Sequence, residues 1–388
     1  MNKLVQPVLA LADWAEQANY AGYDPYDMLN SPLSGVLSLG TRFGRIALTQ
    51  FGRRCPVNFR PLMMVKRGVN PKALALFLEG YAALYRFDPQ QKYLDRIHKI
   101  TGMLADCRSK NIAGCGWGYN FPWQNRFQCL KPYTPTIVNS AFAGHALLYA
   151  YESTGDGLAL SLAQMIPDFM LKELKRKYEQ DTFCFSYTPE DTNFVHNANM
   201  LGASLLVRLA VDYHRSELLE PALAALKYSM NYQHDDGSWF YAETPQQSWI
   251  DSFHTGFNLE ALRHFLRRNT ALEYSSHYQR GVRFYAENFF RQDGTPKYYH
   301  NRLYLVDIHS PAEALSFFAG EGDEYQELCN RVLDWSFQNM YDRRNGLFYF
   351  RKARFFTIRI PYMRWSQAWA FRALCRCLTN GEIIHGTK

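Results

Sequence analysis

The chain lacks most of the marks that assign a protein quickly, and each absence narrows the reading. No run of 18 apolar residues occurs in its 388 residues, so nothing in it reads as a membrane-spanning helix. The first residues make a poor secretory signal, because the apolar stretch is broken by Gln6 and Pro7 and ends at Asp13. There is no G-x-G-x-x-G, no Walker A and no G-x-S-x-G, so nucleotide-driven and serine-hydrolase chemistry lack support. The eight cysteines show no zinc-type spacing, and Cys375 and Cys377 diverge on a helix. Scattered thiols without an export signal are expected in a reducing cytoplasm, each as a small buried apolar residue. No Pro/Ser/Gly-rich linker and no low-complexity segment interrupts the chain, which predicts one domain over 1–388.

What is present is a repeat. A helical run is followed by a Gly/aromatic segment, and then a second helix opens with polar residues. The aromatic segments include Gly116-Trp117-Gly118-Tyr119, Phe183-Cys184-Phe185-Ser186-Tyr187, Gly237-Ser238-Trp239-Phe240-Tyr241 and Gly346-Leu347-Phe348-Tyr349-Phe350. The helices after the segments start near Asn139, Asn197, His254, His309 and Trp365, so successive starts lie 58, 57, 55 and 56 residues apart. Spacing that regular means stacked or closed helical hairpins. Ala/Leu/Gly-rich inner helices (71–86, 139–153, 197–213, 254–268, 310–319, 364–378) alternate with more charged outer ones (4–19, 91–108, 157–175, 216–232, 272–290, 323–340). The prediction is an all-α fold, an α/α toroid of six hairpins and twelve helices, with short β-like aromatic segments at one pole. The long outer-to-inner connections and the inner-helix N-termini share that pole, where a ligand belongs. Residues 20–70 form an atypical insertion expected to cover it.

These features resemble the six-hairpin α/α toroid superfamily. Gln233-His234-Asp235-Asp236-Gly237-Ser238-Trp239 also resembles the Q-x-x-x-G-x-W repeat of terpene cyclases, but the Asp-x-Asp-Asp acid motif is absent, which counts against terpenoid or prenyl chemistry. More closely, Gly22-Tyr23-Asp24-Pro25-Tyr26-Asp27, Val195-His196-Asn197-Ala198-Asn199 and the stretch from Trp249 to Asn258 are similar to uncharacterised proteins of bacterial surface-polysaccharide gene clusters. The similarity covers nearly the whole chain and implies a carbohydrate context.

The repeat gathers chemistry-bearing residues at the elaborate pole. Asp251 and His254 lie one helical turn apart at a helix mouth, and Asp307 and His309 repeat the pairing one hairpin later. Helix capping explains the Asp and Asn residues equally well. One functional reading is proton abstraction beside a carboxylate, as in uronate epimerases and lyases; glucuronyl C5-epimerases offer an architectural analogy. Asn197, Asn199, Arg302 and Arg359 would neutralise the substrate carboxylate. Tyr187, Tyr241, His196 and His254 would exchange protons, while Trp117, Trp239 and Trp365 would stack on sugar faces and Asn258 and His309 would add contacts. A second reading is glycoside hydrolysis by Asp251 and Asp307 as acid and base. A third is glycan binding without catalysis. The net charge of +7, concentrated over 343–364 and 53–67, points to an acidic sugar or oligosaccharide, or to a solvated basic surface. No nucleic-acid-binding signature accompanies it. His196-Asn197-Ala198-Asn199 is not a metal-ligand pattern, so neither metal nor cofactor is expected.

Overall fold

The computed structural model describes residues 2–125 and 128–379. Fifteen α-helices follow in order: α1 Asn2–Gln17, α2 Ser34–Leu37, α3 Arg42–Arg54, α4 Pro71–Phe87, α5 Gln91–Asp106, α6 Ile137–Thr154, α7 Gly157–Gln164, α8 Ile166–Lys172, α9 His196–Asp212, α10 Leu219–Met230, α11 Ser252–Leu266, α12 Ser275–Asn288, α13 His309–Phe318, α14 Gln326–Asn339 and α15 Trp369–Leu378. Helices α4, α6, α9, α11, α13 and α15 pack in that cyclic order, with α15 returning to α4, and form the inner ring. Each packs on an outer partner: α5, α7, α10, α12 and α14 in turn, with α1 against α15. The chain is an α/α toroid, closed by its first and last helices. The outer position beside α6 is split into α7 and α8, because Pro167 removes an amide near the start of α8 and the Met165 carbonyl is taken by the Cys115 N–H instead.

Local sequence explains the two rings. Helix α6 is buried continuously from Ile137 to Ala150, as an Ala/Leu/Gly-rich helix enclosed on all sides should be. Helix α5 instead buries Tyr93, Ile97, Ile100 and Leu104, a single stripe at three- and four-residue intervals. Inner helices begin with side-chain caps: Asn70 for α4 (ahead of Pro71), Thr136 for α6 and Asp251 for α11. The Q-x-x-x-G-x-W segment is a brace. Gln233 donates to the carbonyls of Gly237 and His277, and Trp239 donates to the Ser229 carbonyl. Gly237 has φ +92°, and a Cβ there would lie 2.5 Å from the Arg280 backbone.

Strands are short and sit in the connections. The largest sheet joins Val306–Asp307, Arg351–Lys352 and Thr357–Ile358, all antiparallel. Across the ring interior runs a buried charge network. Arg372 on α15 donates to Glu79 of α4, Glu260 of α11 and Glu313 of α13, and Arg376 donates to Glu79 and Glu260. These helices include pairs that are not ring neighbours, so the network spans the bore. Burial pushes Glu260 up, but Arg372 and Arg376 hold it well below the usual carboxylate range. Burial and the nearby Glu260 charge push Glu313 well above it. Two guanidiniums thus face two carboxylates and one carboxylic acid. No described helix is long and apolar enough to cross a membrane.

Candidate active site

A cavity of about 440 Å³ opens where the inner-helix N-termini converge with the aromatic connections. Its walls are aromatic, with Tyr119, Tyr187, Tyr241, Trp249, Phe253 and Trp365 among them. The insertion supplies Tyr26, Ile46, Gln50 and Arg53. Buried ion pairs fix it there. Asp24 accepts two hydrogen bonds from Arg364 (2.6 and 2.8 Å), and Arg60 donates from Nε to Asp27 (2.5 Å) and from Nη2 to the Asp24 carbonyl (2.8 Å). Burial outweighs Arg60 at Asp27 and raises its pKa to about 6.

The polar groups are few and oriented. Asp251 caps α11 through the His254 N–H (3.1 Å), while its second oxygen accepts from His254 Nδ1 (2.6 Å) and Trp249 Nε1 (3.0 Å). Asp251 is therefore buried and fully engaged, and it does not line the cavity. Its bond places a proton on His254 Nδ1, so in the neutral ring Nε2 carries the lone pair, and the ring lines the cavity. No described residue bonds that Nε2. The ring packs at 4.6 Å against Tyr241, itself stacked on Trp249 at 4.7 Å.

His309 lies on the same wall, its ring 4.4 Å from Phe253 and 4.2 Å from Trp369, and neither ring nitrogen has a partner among the described residues. Burial, then Lys72, lowers its pKa far below the imidazole value, so the ring is neutral. Asn197 Oδ1 at the wall and Asn258 Oδ1 close by are likewise buried without a partner. Buried polar atoms left open together mark a place where a ligand completes the hydrogen bonding.

Lys72 had no counterpart in the sequence reading. Placed one residue into α4 by the Asn70 cap, it is 4% exposed and its Nζ sits 4.1 Å over the Phe142 ring. It forms no ion pair with a described residue, and burial followed by Arg364 lowers its pKa well below the lysine value. The sequence signal was a lone cation in the apolar run Pro71-Lys72-Ala73-Leu74-Ala75-Leu76-Phe77. Among the described residues no Asp or Glu lines the cavity, whereas Arg53, Lys72 and Arg364 do.

Of the residues expected to act together, the structure brings His254, Tyr241, Tyr187, Asn197, His309 and Trp365 to this cavity. Others lie elsewhere. His196 packs between α9 and α10, with Nε2 on Glu243 (2.8 Å) and Nδ1 near Ser229 (3.3 Å), and lines no part of the cavity. Asn199 braces the backbone of Phe185 and Ala225. Trp117 and Trp239 are core residues, bonded to the carbonyls of Leu104 and Ser229. Asp307 is completely buried, accepting from Arg351 Nε (2.5 Å), Trp365 Nε1 (2.7 Å) and the His309 N–H (3.0 Å). The two carboxylates expected to face each other thus position a histidine and a tryptophan instead. Arg359 stacks outside the cavity on Tyr349 at 5.3 Å, and Arg302 lines a neighbouring recess. No described group of three or more His, Cys, Asp and Glu side chains has metal-binding geometry.

Neither a protein-family model nor a curated protein matches the chain. Solved structures do. Cellobiose 2-epimerase from Bacillus thermoamylovorans superposes with a TM-score of 0.66 over 98% of this chain and 99% of that one, at 12% identity. A sugar epimerase from a ruminal bacterium gives 0.60 over 82% and 88%, at 13% identity. The GH76 α-mannanase BT2949 of Bacteroides thetaiotaomicron gives 0.59 over 81% and 88%, at 11% identity. The likeness is one of fold: the chain has the α/α toroid that these proteins share.

Proposed function

We propose that this protein is a carbohydrate-active enzyme that abstracts a proton from the carbon beside the carboxylate of an acidic, uronate-type sugar, with His254 as the base. The observation that carries the reading is the pairing of an oriented imidazole with a cavity wall free of described carboxylates. Acid–base hydrolysis needs two carboxyl groups at the sugar, and Asp251 and Asp307 are both engaged behind the wall. Proton abstraction needs a lone pair held in place and a cation where negative charge develops.

His254 Nε2 takes the proton, and the electron pair of the C–H bond passes into the substrate carboxylate. Lys72 offsets the charge that grows on its oxygens. Burial disfavours the isolated Lys72 cation, and an anionic group beside it restores that charge. Tyr187 and Tyr241 remain phenols, because burial raises both pKa values, reinforced by Tyr119 and Asp251 respectively. Return of a proton from a phenol to the opposite face gives the epimer; expulsion of a group from the adjacent carbon gives an unsaturated sugar. The names of the epimerase neighbours agree with an epimerase type of reaction, and the sequence resemblance supports a role in surface-polysaccharide metabolism.

Incubation with uronate-containing oligosaccharides in deuterated water tests the proposal. Deuterium at C5 or a new enoate absorbance is expected, and His254→Ala should abolish it with the fold intact. New reducing ends alone, or binding with no reaction, would overturn it.

A further inference from the structure

Beside the cavity lies a second recess of about 420 Å³, which shares Arg53, Tyr298 and Tyr299 with the first. Arg54, Arg302 and Arg351 complete a ring of four guanidiniums, and no carboxylate lines the recess among the described residues. Arg351 is 4% exposed, and while Asp307 anchors its Nε, its Nη2 is buried without a partner among the described residues. Arg53 Nε is also buried and unpartnered. Arg53, Arg54 and Arg302 form no ion pair with a described residue. Tyr304 and Phe356 are 46% and 48% exposed at the rim, which gives flat apolar faces beside the charges.

From this arrangement we infer that the recess is a second subsite, which holds an anionic group joined to the reacting sugar. The physical argument is one of satisfaction. A guanidinium fork held by Asp307 and left one arm short is preorganised for bidentate contact with a carboxylate or phosphate. Four like charges, of which only Arg351 has a carboxylate partner, also repel one another until an anion arrives. Arg53, Tyr298 and Tyr299 stand between the two spaces and face both, so a molecule longer than one sugar reaches from one to the other. The substrate is therefore larger than a free monosaccharide and carries two anionic centres. This builds on the reading of the first cavity as the sugar site, and it adds the class of substrate.

Two sources share that chemistry, a second uronate residue and the diphosphate of a sugar nucleotide. Calorimetric titration with galacturonate, digalacturonate and UDP-glucuronate separates them. At least one two-anion ligand is expected to bind about tenfold tighter than galacturonate or better, the gain typical of one or two charge-assisted contacts. That advantage should shrink below about threefold in Arg54→Ala/Arg302→Ala, whose exposed positions leave Tm as a folding control, and should shrink further at high salt. Equal affinity for one- and two-anion ligands, or an advantage untouched by the double substitution, would overturn the inference. Because the readout is affinity, an enzyme that failed to exchange deuterium could still pass this test, and one that exchanged it could still fail.

Discussion

Replacing Lys72 with methionine should stabilise the protein and cripple it. The lysine is buried, its Nζ rests on Phe142 at 4.1 Å, and no described acceptor or carboxylate pairs with it. An unpaired buried amine costs about 1–3 kcal/mol. The cation–π contact returns part of this, at most about 2 kcal/mol. Methionine matches the length and flexibility of the stem and carries no such cost. In the middle of these ranges the net gain is about 1 kcal/mol, which for a chain of this size raises Tm by roughly 1–2 °C. The gain has a pH signature. A folded pKa below the unfolded 10.5 means that the unfolded chain binds the proton more tightly. Stability therefore falls as pH drops below 10.5, down to the folded value, and the Lys72→Met advantage should be larger at pH 7 than at pH 10. Activity should fall about 10²–10³-fold, the usual loss when a preorganised electrostatic partner is removed. Scanning calorimetry at the two pH values, with deuterium exchange on the same preparations, measures both. A lower Tm together with near-normal exchange would refute the assignment.

Four other substitutions have outcomes set by the geometry. Asp251→Asn, with its oxygen still capping α11, forces His254 Nδ1 to accept and puts the proton on Nε2; exchange should drop roughly 10²–10⁴-fold, and a loss under threefold would remove His254 as the base. Glu260→Gln should cost about 3–5 kcal/mol in chemical denaturation, because it strips a carboxylate from two buried guanidiniums, whereas Glu313→Gln should cost little. Glu313 has a folded pKa above its unfolded 4.5, so its contribution is complete below that pH and is lost as pH rises through the folded value; the glutamine should flatten that decline by up to about 1.4 kcal/mol per pH unit. His196→Phe should leave exchange within about threefold of the parent, since the ring faces Glu243 and Ser229 rather than the cavity.

The architecture was legible because one period governs it: the polar starts of the inner helices appear in the sequence at nearly constant spacing, and all of them reach one pole. The chemistry was less legible, because a helix mouth exposes some side chains to the bore and turns others into the wall. Periodicity puts His196 and His254 at the mouths of consecutive inner helices, but His196 is the first residue of α9, with its ring on Glu243, whereas His254 is the third of α11, where Asp251 holds it at the cavity. Capping was an incomplete account too. Thr136 caps α6 in place of Asn139, and Asp251 is at once a cap and the partner of an imidazole. The Gly22–Asp27 string, read only as a resemblance, ties the insertion to Arg364 and Arg60, contacts that span 340 residues for Asp24–Arg364 and 33 for Asp27–Arg60. No local pattern reports such pairings.

The salt-bridge network across the bore has a consequence for traffic. Arg372 and Arg376, with their three glutamates, cork the toroid beneath the cavity, and below them lie the packed rings of His145 and His264, 4.5 Å apart. The cavity is a blind well. A polymer cannot thread through it, and whatever leaves goes by the door through which it arrived. Product should therefore compete directly with substrate, and the rate of clearing that doorway sets a ceiling on turnover however fast the proton moves.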